Sequence, residues 1–300
     1  MAPIFIGSGV AIITPFDKDG KINYSRFKEL IEFQIKNNTD AIVVCGTTGE
    51  GSTLSVSERL EMFKVASDTI RKRVPLICGT GSNSTSFSLE FAKEAENIDI
   101  DAHLSVTPYY NKTSQNGLIK HYFTLADNLN KPLIVYNVPS RTGMNITAET
   151  YKALSCHDNI IGVKEADTNI SKLIKSMVLC DDRLDFYIGN DDHISVSTSL
   201  GCKGVISVLA NILPSYTHKM SYAGVKGNCK LCAQMQKKIM DFVECLFMDV
   251  SPIIIKEVMN RCGFDVGSCR LPLVDTSEKY LEIITHIVEE YKEIIRLEKT

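Results

Sequence analysis

Leu133-Ile134-Val135-Tyr136-Asn137-Val138-Pro139-Ser140-Arg141-Thr142-Gly143 opens on an apolar run and then breaks into turn residues. Ile160-Ile161-Gly162-Val163-Lys164-Glu165 repeats that grammar, and the segment between them, Thr147 to Leu154, has the spacing of a helix. An apolar run without polar alternation belongs to a strand covered on both faces, the habit of parallel sheets. Strand, helix and strand together make a βαβ unit. Toward the N-terminus the pattern predicts strands at Val10–Thr14, Ala41–Cys45, Leu76–Cys78 and Ala102–Val106. Helices follow them near Asn23, from Ser57, over Phe87–Ala95 and over Gly117–Leu129. Toward the C-terminus come a helix over Ile170–Val178, a strand over Leu184–Ile188, a short helix over Asp192–Leu200 and a strand over Gly204–Ser207. Eight units in about 210 residues predict an α/β fold, a (β/α)8 TIM barrel rather than an open sheet.

Beyond Ser215 only helical patterns appear, over Leu231–Phe247, Pro252–Met259 and Ser277–Leu297. The last places Ile283, Ile284, Ile287 and Tyr291 at helical spacing, and Cys262 to Leu273 reads as a loop. The expected organisation is a barrel over 1–214 and a C-terminal helical region over 215–300.

Composition excludes several functions. Of 300 residues, 44% are hydrophobic and 23% charged, with 33 Lys+Arg against 36 Asp+Glu and a net charge of −3. That balance offers no clustered basic face for nucleic acid. No apolar run approaches the roughly 20 residues of a membrane span, and the first residues lack a basic region ahead of an apolar one. A soluble, cytoplasmic chain is therefore expected. The 10 Cys are expected to be reduced, and Cys229 and Cys232 form a lone CxxC with no second pair at zinc spacing. The six His are scattered at 103, 121, 157, 193, 218 and 286. The nearest approach to a metal cluster is Asp191-Asp192-His193, whose acids a helix N-terminus explains equally well. No metal is expected. Gly79-Thr80-Gly81-Ser82-Asn83-Ser84 lacks the third glycine of a dinucleotide loop, and no Walker loop or GxSxG elbow is present.

In a barrel of this type chemistry sits where strands end. Lys164 closes the sixth predicted strand. Burial favours the neutral amine, the nucleophile that condenses with a carbonyl to a Schiff base. The alternative is a strand-end Lys that reaches solvent or pairs with Glu165. Tyr136 closes the neighbouring strand and could move protons through Thr47 or Tyr110, or be a core tyrosine with a satisfied hydroxyl. Gly46-Thr47-Thr48-Gly49 offers backbone N–H groups and two hydroxyls to a small carboxylate, or is a plain βα turn. Arg141 could fork onto a second carboxylate, or be solvated.

These strand ends resemble the pyruvate-dependent class I aldolases, and among them the dihydrodipicolinate synthase family. The Schiff-base motif is Gly162-Val163-Lys164-Glu165-Ala166 and the tyrosine motif Tyr136-Asn137-Val138-Pro139-Ser140-Arg141-Thr142-Gly143. The pyruvate turn is Gly46-Thr47-Thr48-Gly49-Glu50 and the eighth-strand motif Gly204-Val205-Ile206-Ser207-Val208-Leu209-Ala210-Asn211. The resemblance spans nearly the whole chain. It implies that Lys164 forms an imine with pyruvate and that Thr48 and adjacent backbone hold the pyruvate carboxylate. It also implies a proton relay of Tyr136, Thr47 and Tyr110, with Tyr110 reaching in from a neighbouring subunit. Arg141 would bind L-aspartate 4-semialdehyde, while Gly189 and Ile206 line the pyruvate pocket. The implied reaction gives 4-hydroxy-tetrahydrodipicolinate for lysine and diaminopimelate synthesis, with no cofactor beyond the covalent imine and with a homotetramer of tight dimers as the assembly. Thr47-Thr48 and Arg141 favour this branch over sialic-acid and keto-deoxy sugar-acid lyases. A barrel that binds a small acid without turnover is the remaining alternative. Asn83 and Tyr109 match the lysine-inhibited members, but Val56, Arg59 and Phe87 stand where those members carry histidines and a glutamate, so weak or absent lysine feedback is expected.

Overall fold

The apolar strands close on themselves. In the computed structural model, which describes residues 2–299, eight parallel strands form a closed barrel in chain order. They are β1 (Gly7–Ala11), β2 (Ala41–Val44), β3 (Leu76–Gly79), β4 (Ala102–Val106), β5 (Leu133–Asn137), β6 (Ile160–Glu165), β7 (Asp185–Ile188) and β8 (Gly204–Ser207). All eight expected strands are present, and β8 pairs with β1 to complete the ring. Alternate residues face opposite ways along each strand. Ala41, Val43, Ile77, Leu104, Ile134, Tyr136, Tyr187 and Ile206 pack together with Phe5 in one cluster. Ile42, Val44, Leu76, Val135, Val163 and Phe186 belong to the two clusters that pack on the helices. Both sets are buried, which is why the strands read as unbroken apolar runs.

The first strand departs from expectation, lying at Gly7–Ala11 and not Val10–Thr14. The Ile12 N–H still reaches the Val43 carbonyl, but the Ile13 N–H turns to Asn211 Oδ1 and the Thr14 hydroxyl donates to the Gly49 carbonyl at 2.6 Å. Residues 12–14 thus belong to the mouth of the barrel. The true strand begins Gly-Ser-Gly, which an apolar-run criterion cannot see. It is fitted to close approach, since a Cβ on Gly204 would stand 1.9 Å from the Gly7 carbonyl oxygen.

Helices begin where the sequence offers caps. Asn23, Ser84, Ser114, Thr147 and Asn169 each accept from a backbone N–H ahead of α1 (Tyr24–Lys36), α3 (Thr85–Ala95), α4 (Gln115–Asn128), α6 (Ala148–Leu154) and α7 (Ile170–Cys180). Ser55 and Glu58 form a reciprocal capping box on α2 (Val56–Ile70). A single-turn helix, α5 (Pro139–Thr142), occupies what the sequence presents as loop, so Arg141 is helical. The short helix after β7 is a 3-10 turn over Asp191–His193 followed by α8 (Ile194–Ser199).

The expected division at residue 215 falls inside α9 (Pro214–Val225), which packs on the barrel: Ser221 donates to the Gly7 carbonyl, and His218 Nδ1 lies 2.7 Å from Asp40 Oδ2. Beyond it run α10 (Cys229–Leu246) and α11 (Ile253–Arg261), then a loop, then α12 (Glu278–Glu290) and α13 (Lys292–Lys299). The single helix expected over Ser277–Leu297 is interrupted at Tyr291, which caps α12 and donates its hydroxyl to the Lys238 carbonyl. Ile284, Ile287 and Tyr291 are buried as their spacing requires, whereas Ile283 is exposed. All ten thiols are free, with Cys229 exposed and Cys232 buried. Among the described residues no helix is long and apolar enough to cross a membrane.

Candidate active site

Strand alternation separates the two charged residues that end β6. Glu165 leaves the barrel and is fully engaged. It accepts from Asn137 Nδ2 at 2.7 Å, from the Tyr151 hydroxyl at 2.9 Å and from the Asp167 N–H at 2.8 Å, and it pairs with Lys172 at 3.1 Å. Lys164 points the other way and is 5% exposed. The strand-end alternatives for Lys164, escape to solvent or a pair with Glu165, are therefore both excluded. Among the described residues no carboxylate lies within ion-pair distance of Lys164. Its neighbour is Tyr136, directly opposite in register, with Lys164 Nζ 4.4 Å from the ring centroid.

Room for this amine comes from β7. A Cβ at Gly189 would stand 3.1 Å from Lys164 Cε and 2.9 Å from Ala166 Cβ, so a larger residue would crowd the lysine. Ile206 and Tyr187 share the inner cluster with Tyr136. Asp191, at the start of the 3-10 turn, is wholly buried and accepts the backbone N–H groups of Val208 and Leu209. Burial pushes its carboxyl up, and hydrogen bonds from Ser207, Leu209 and Val208 and the charge of Lys164 oppose that. Asp191 therefore ties the β7 end to the loop after β8. Asp191, Asp192 and His193 form no metal cluster among the described residues.

A cavity of about 480 Å3 opens at the C-terminal end of the barrel. Thr47, Tyr136, Arg141, Tyr109 and Arg59 stand on its wall. Lys164, Thr48 and Ile206 are buried, and Thr48 lies in the turn beside Thr47. Arg141 is anchored from far along the chain, its guanidinium donating to the Ser251 carbonyl at 3.2 Å. A second cavity of about 540 Å3 lies between Pro139, Ala166, Asn190, Val243 of α10 and Phe247 just beyond it. Cys45 also borders the first cavity, but burial pushes its thiol up to about 12, so it is no thiolate nucleophile near neutral pH. Tyr110 is not brought to this cavity by its own chain. It is 90% exposed with φ of +68°, held out from the barrel mouth.

Sequence similarity and fold comparison point the same way. The profile of the Dihydrodipicolinate synthetase family matches residues 4–291. The chain belongs to that family. A 4-hydroxy-tetrahydrodipicolinate synthase 1 of Clostridium acetobutylicum is 49% identical over 281 residues, 94% of this chain and 96% of the relative. A 4-hydroxy-tetrahydrodipicolinate synthase of Clostridium novyi is 45% identical over 293 residues, 98% and 99% of the two chains. Among solved structures, a chloride-inhibited dihydrodipicolinate synthase of Acinetobacter baumannii complexed with pyruvate superposes with a TM-score of 0.94 at 35% identity, covering 96% of this chain and 99% of that one.

Val56 and Phe87 also border the 480 Å3 cavity, beside Arg59 and Tyr109. Arg59 lies over the Phe91 ring at 3.9 Å and donates to the Gly79 carbonyl, and burial pushes its guanidinium down. The sequence patterns assign no role to Glu50, the last residue of the Gly46–Glu50 turn, or to Lys256. Glu50 is visible within the motif, whereas Lys256, which pairs with it at 2.6 Å, lies in α11 and gives no pattern signal.

Proposed function

We propose that this chain condenses pyruvate with L-aspartate 4-semialdehyde through a Schiff base on Lys164, giving 4-hydroxy-tetrahydrodipicolinate for lysine and diaminopimelate synthesis. The observation that carries the proposal is the buried Lys164, set against Tyr136 with no carboxylate within ion-pair distance among the described residues. Its Nζ lies against the Tyr136 ring at the barrel mouth, where an amine can add to the carbonyl carbon of a small keto acid. Its amine adds to C2 of pyruvate and water leaves, forming the imine. The imine withdraws electrons from the methyl carbon, which loses a proton and then attacks the aldehyde carbon of the semialdehyde. The amino group of that substrate then attacks C2, closes the ring and releases Lys164.

Thr48 and the N–H groups of the Gly46–Gly49 turn hold the pyruvate carboxylate. Tyr136 and Thr47 move protons at the imine, and Tyr110 completes the relay from a second copy of the chain, so a dimer is the smallest competent unit and a tetramer of tight dimers the expected assembly. Arg141, at the rim, takes the carboxylate of the semialdehyde. Gly189 and Ile206 shape the pyruvate pocket. No cofactor is required, because the imine itself serves as the electron sink. A cytoplasmic location fits the free thiols.

The deciding experiment is borohydride reduction in the presence of pyruvate, followed by peptide mapping. A pyruvyl adduct on Lys164 is expected, and its absence would sink the mechanism. Lysine feedback is weak or absent, since Val56 and Phe87 place apolar groups where an amino acid's charges would need partners. Unchanged turnover in millimolar lysine is the expected result, and inhibition at sub-millimolar lysine would overturn it.

A further inference from the structure

The molecule holds a second buried lysine, in α11, far from the barrel strands in sequence. Lys256 is 2% exposed. Its ammonium lies 2.6 Å from Glu50 Oε1, donates to the Ser268 carbonyl at 2.9 Å and sits 4.2 Å from the centre of the Phe16 ring. The other oxygen of Glu50 accepts the Arg270 N–H at 2.9 Å. Both oxygens of one buried carboxylate are thus held by the C-terminal region. Arg270 extends the clamp: its guanidinium forks onto Glu58 at 2.7 and 3.0 Å and lies 4.5 Å from the same Phe16 ring.

Glu50 ends the turn that carries Thr47 and Thr48. Its own N–H bonds back to the Thr47 carbonyl, the Gly51 N–H closes onto Gly46, and its backbone is left-handed at φ +53°. A non-glycine residue in that region persists only where its surroundings hold it. The carboxylate is the handle by which they do so. Burying two charges is a poor way to gain stability, because desolvation offsets most of the attraction and an apolar pair of similar volume often does as well. Charge at this place fixes a position rather than adding net stability.

We propose that Lys256 is a positioning residue for the reaction: the Lys256–Glu50 pair holds the Gly46–Gly49 turn in the shape that accepts a carboxylate, so the helical region contributes to pyruvate binding without touching substrate. This rests on the turn being the pyruvate carboxylate site. The pair acts on ground-state and transition-state binding of pyruvate alike. Its loss therefore moves half-saturation by pyruvate more than it moves turnover at saturation.

The test uses the full-length protein with Lys256→Met, Glu50→Gln and Lys256→Arg. For folded Lys256→Met, KM for pyruvate should rise about tenfold, and the pyruvate concentration giving half-maximal borohydride labelling of Lys164 should rise by the same factor. KM for the aldehyde should stay within about twofold. A simple anchor for the fold would lower the active fraction and the melting temperature and leave both pyruvate constants where they were, which would overturn the proposal. Glu50→Gln, which keeps an acceptor for the Arg270 N–H, should show a smaller shift in the same direction. If Lys256→Met fails to fold, Lys256→Arg decides: a folded arginine variant should need about threefold more pyruvate for half-labelling, and an unchanged value refutes positioning. Failure of the wild-type protein to label at all would instead overturn the Schiff-base reading.

Discussion

The end of β6 and the start of α11 each bury a lysine, and they solve the problem in opposite ways. Lys256 is matched by Glu50 at 2.6 Å, by the Ser268 carbonyl and by the face of Phe16. Burial pushes its ammonium below the usual lysine range, and the charge and hydrogen bond of Glu50 oppose that. Lys164 has an aromatic ring at 4.4 Å, and its sequence neighbour Glu165 is turned away and occupied by Asn137, Tyr151 and Lys172. The lesson concerns the company a buried amine keeps. Paired with a carboxylate, it is a strut. Set apart from carboxylates, as Lys164 is, it is tied to no acid and faces an aromatic ring instead.

Substitution breaks the comparison most sharply at Lys164. Lys164→Ala should abolish borohydride labelling and lower kcat/KM by about a thousandfold or more, because among the described residues no other amine lies over the Tyr136 ring. Turnover within tenfold of wild type would remove Lys164 from the nucleophile's role. Next in size is Arg141→Ala. Arg141 is held by the C-terminal region as Glu50 is, through the Ser251 carbonyl, yet it faces the cavity. Losing a charge-assisted fork of about 1.5–3 kcal/mol should raise KM for the aldehyde tenfold to a hundredfold while pyruvate labelling of Lys164 continues. Equal damage to both substrates would mean that Arg141 shapes the whole mouth and does not read one carboxylate.

Much of this was legible in the residues, and the exceptions have physical causes. Eight strands announce themselves because both faces of a parallel strand are buried, and the strand-end motifs stand out because they sit at fixed ends. Gly7–Gly9 escaped because neighbouring side chains leave no room there for the apolar groups that mark a strand: a Cβ on Gly7 would meet the Asp40 carboxylate at 2.2 Å and one on Gly9 the Phe5 ring at 2.9 Å. α5 escaped because a Pro-started single turn ending at Gly143 is composed like a loop. Which way Lys164 and Glu165 point was open in sequence and is settled by the pleat. The Lys256–Glu50 pair was invisible, since nothing local joins residues more than two hundred apart: pairing of this kind is a property of the closed fold.

The smallest expected effect tests the outer half of the same clamp. Arg270 and the Ser55 N–H both bind Glu58, and the Arg270 fork, ahead of the backbone bond, pulls its carboxyl down from 4.5 to about 2. A group whose carboxyl is lowered on folding stabilises the native state when it is ionised in both states. That contribution is complete above pH 4.5 and is lost as pH falls toward 2. Glu58→Gln keeps an acceptor for the Ser55 cap and removes the charge. Glu58 remains partly open to solvent, so screening limits its contribution to about 1 kcal/mol. The variant should therefore melt a few degrees below wild type near pH 7, and the gap should narrow steadily as pH falls from about 5 to about 3. A gap independent of pH would show that the fork acts through packing on Phe16 rather than through charge. If the Gln variant also leaves pyruvate half-saturation unmoved while Lys256→Met raises it, the clamp divides into an outer part that stabilises the fold and an inner part that sets the turn.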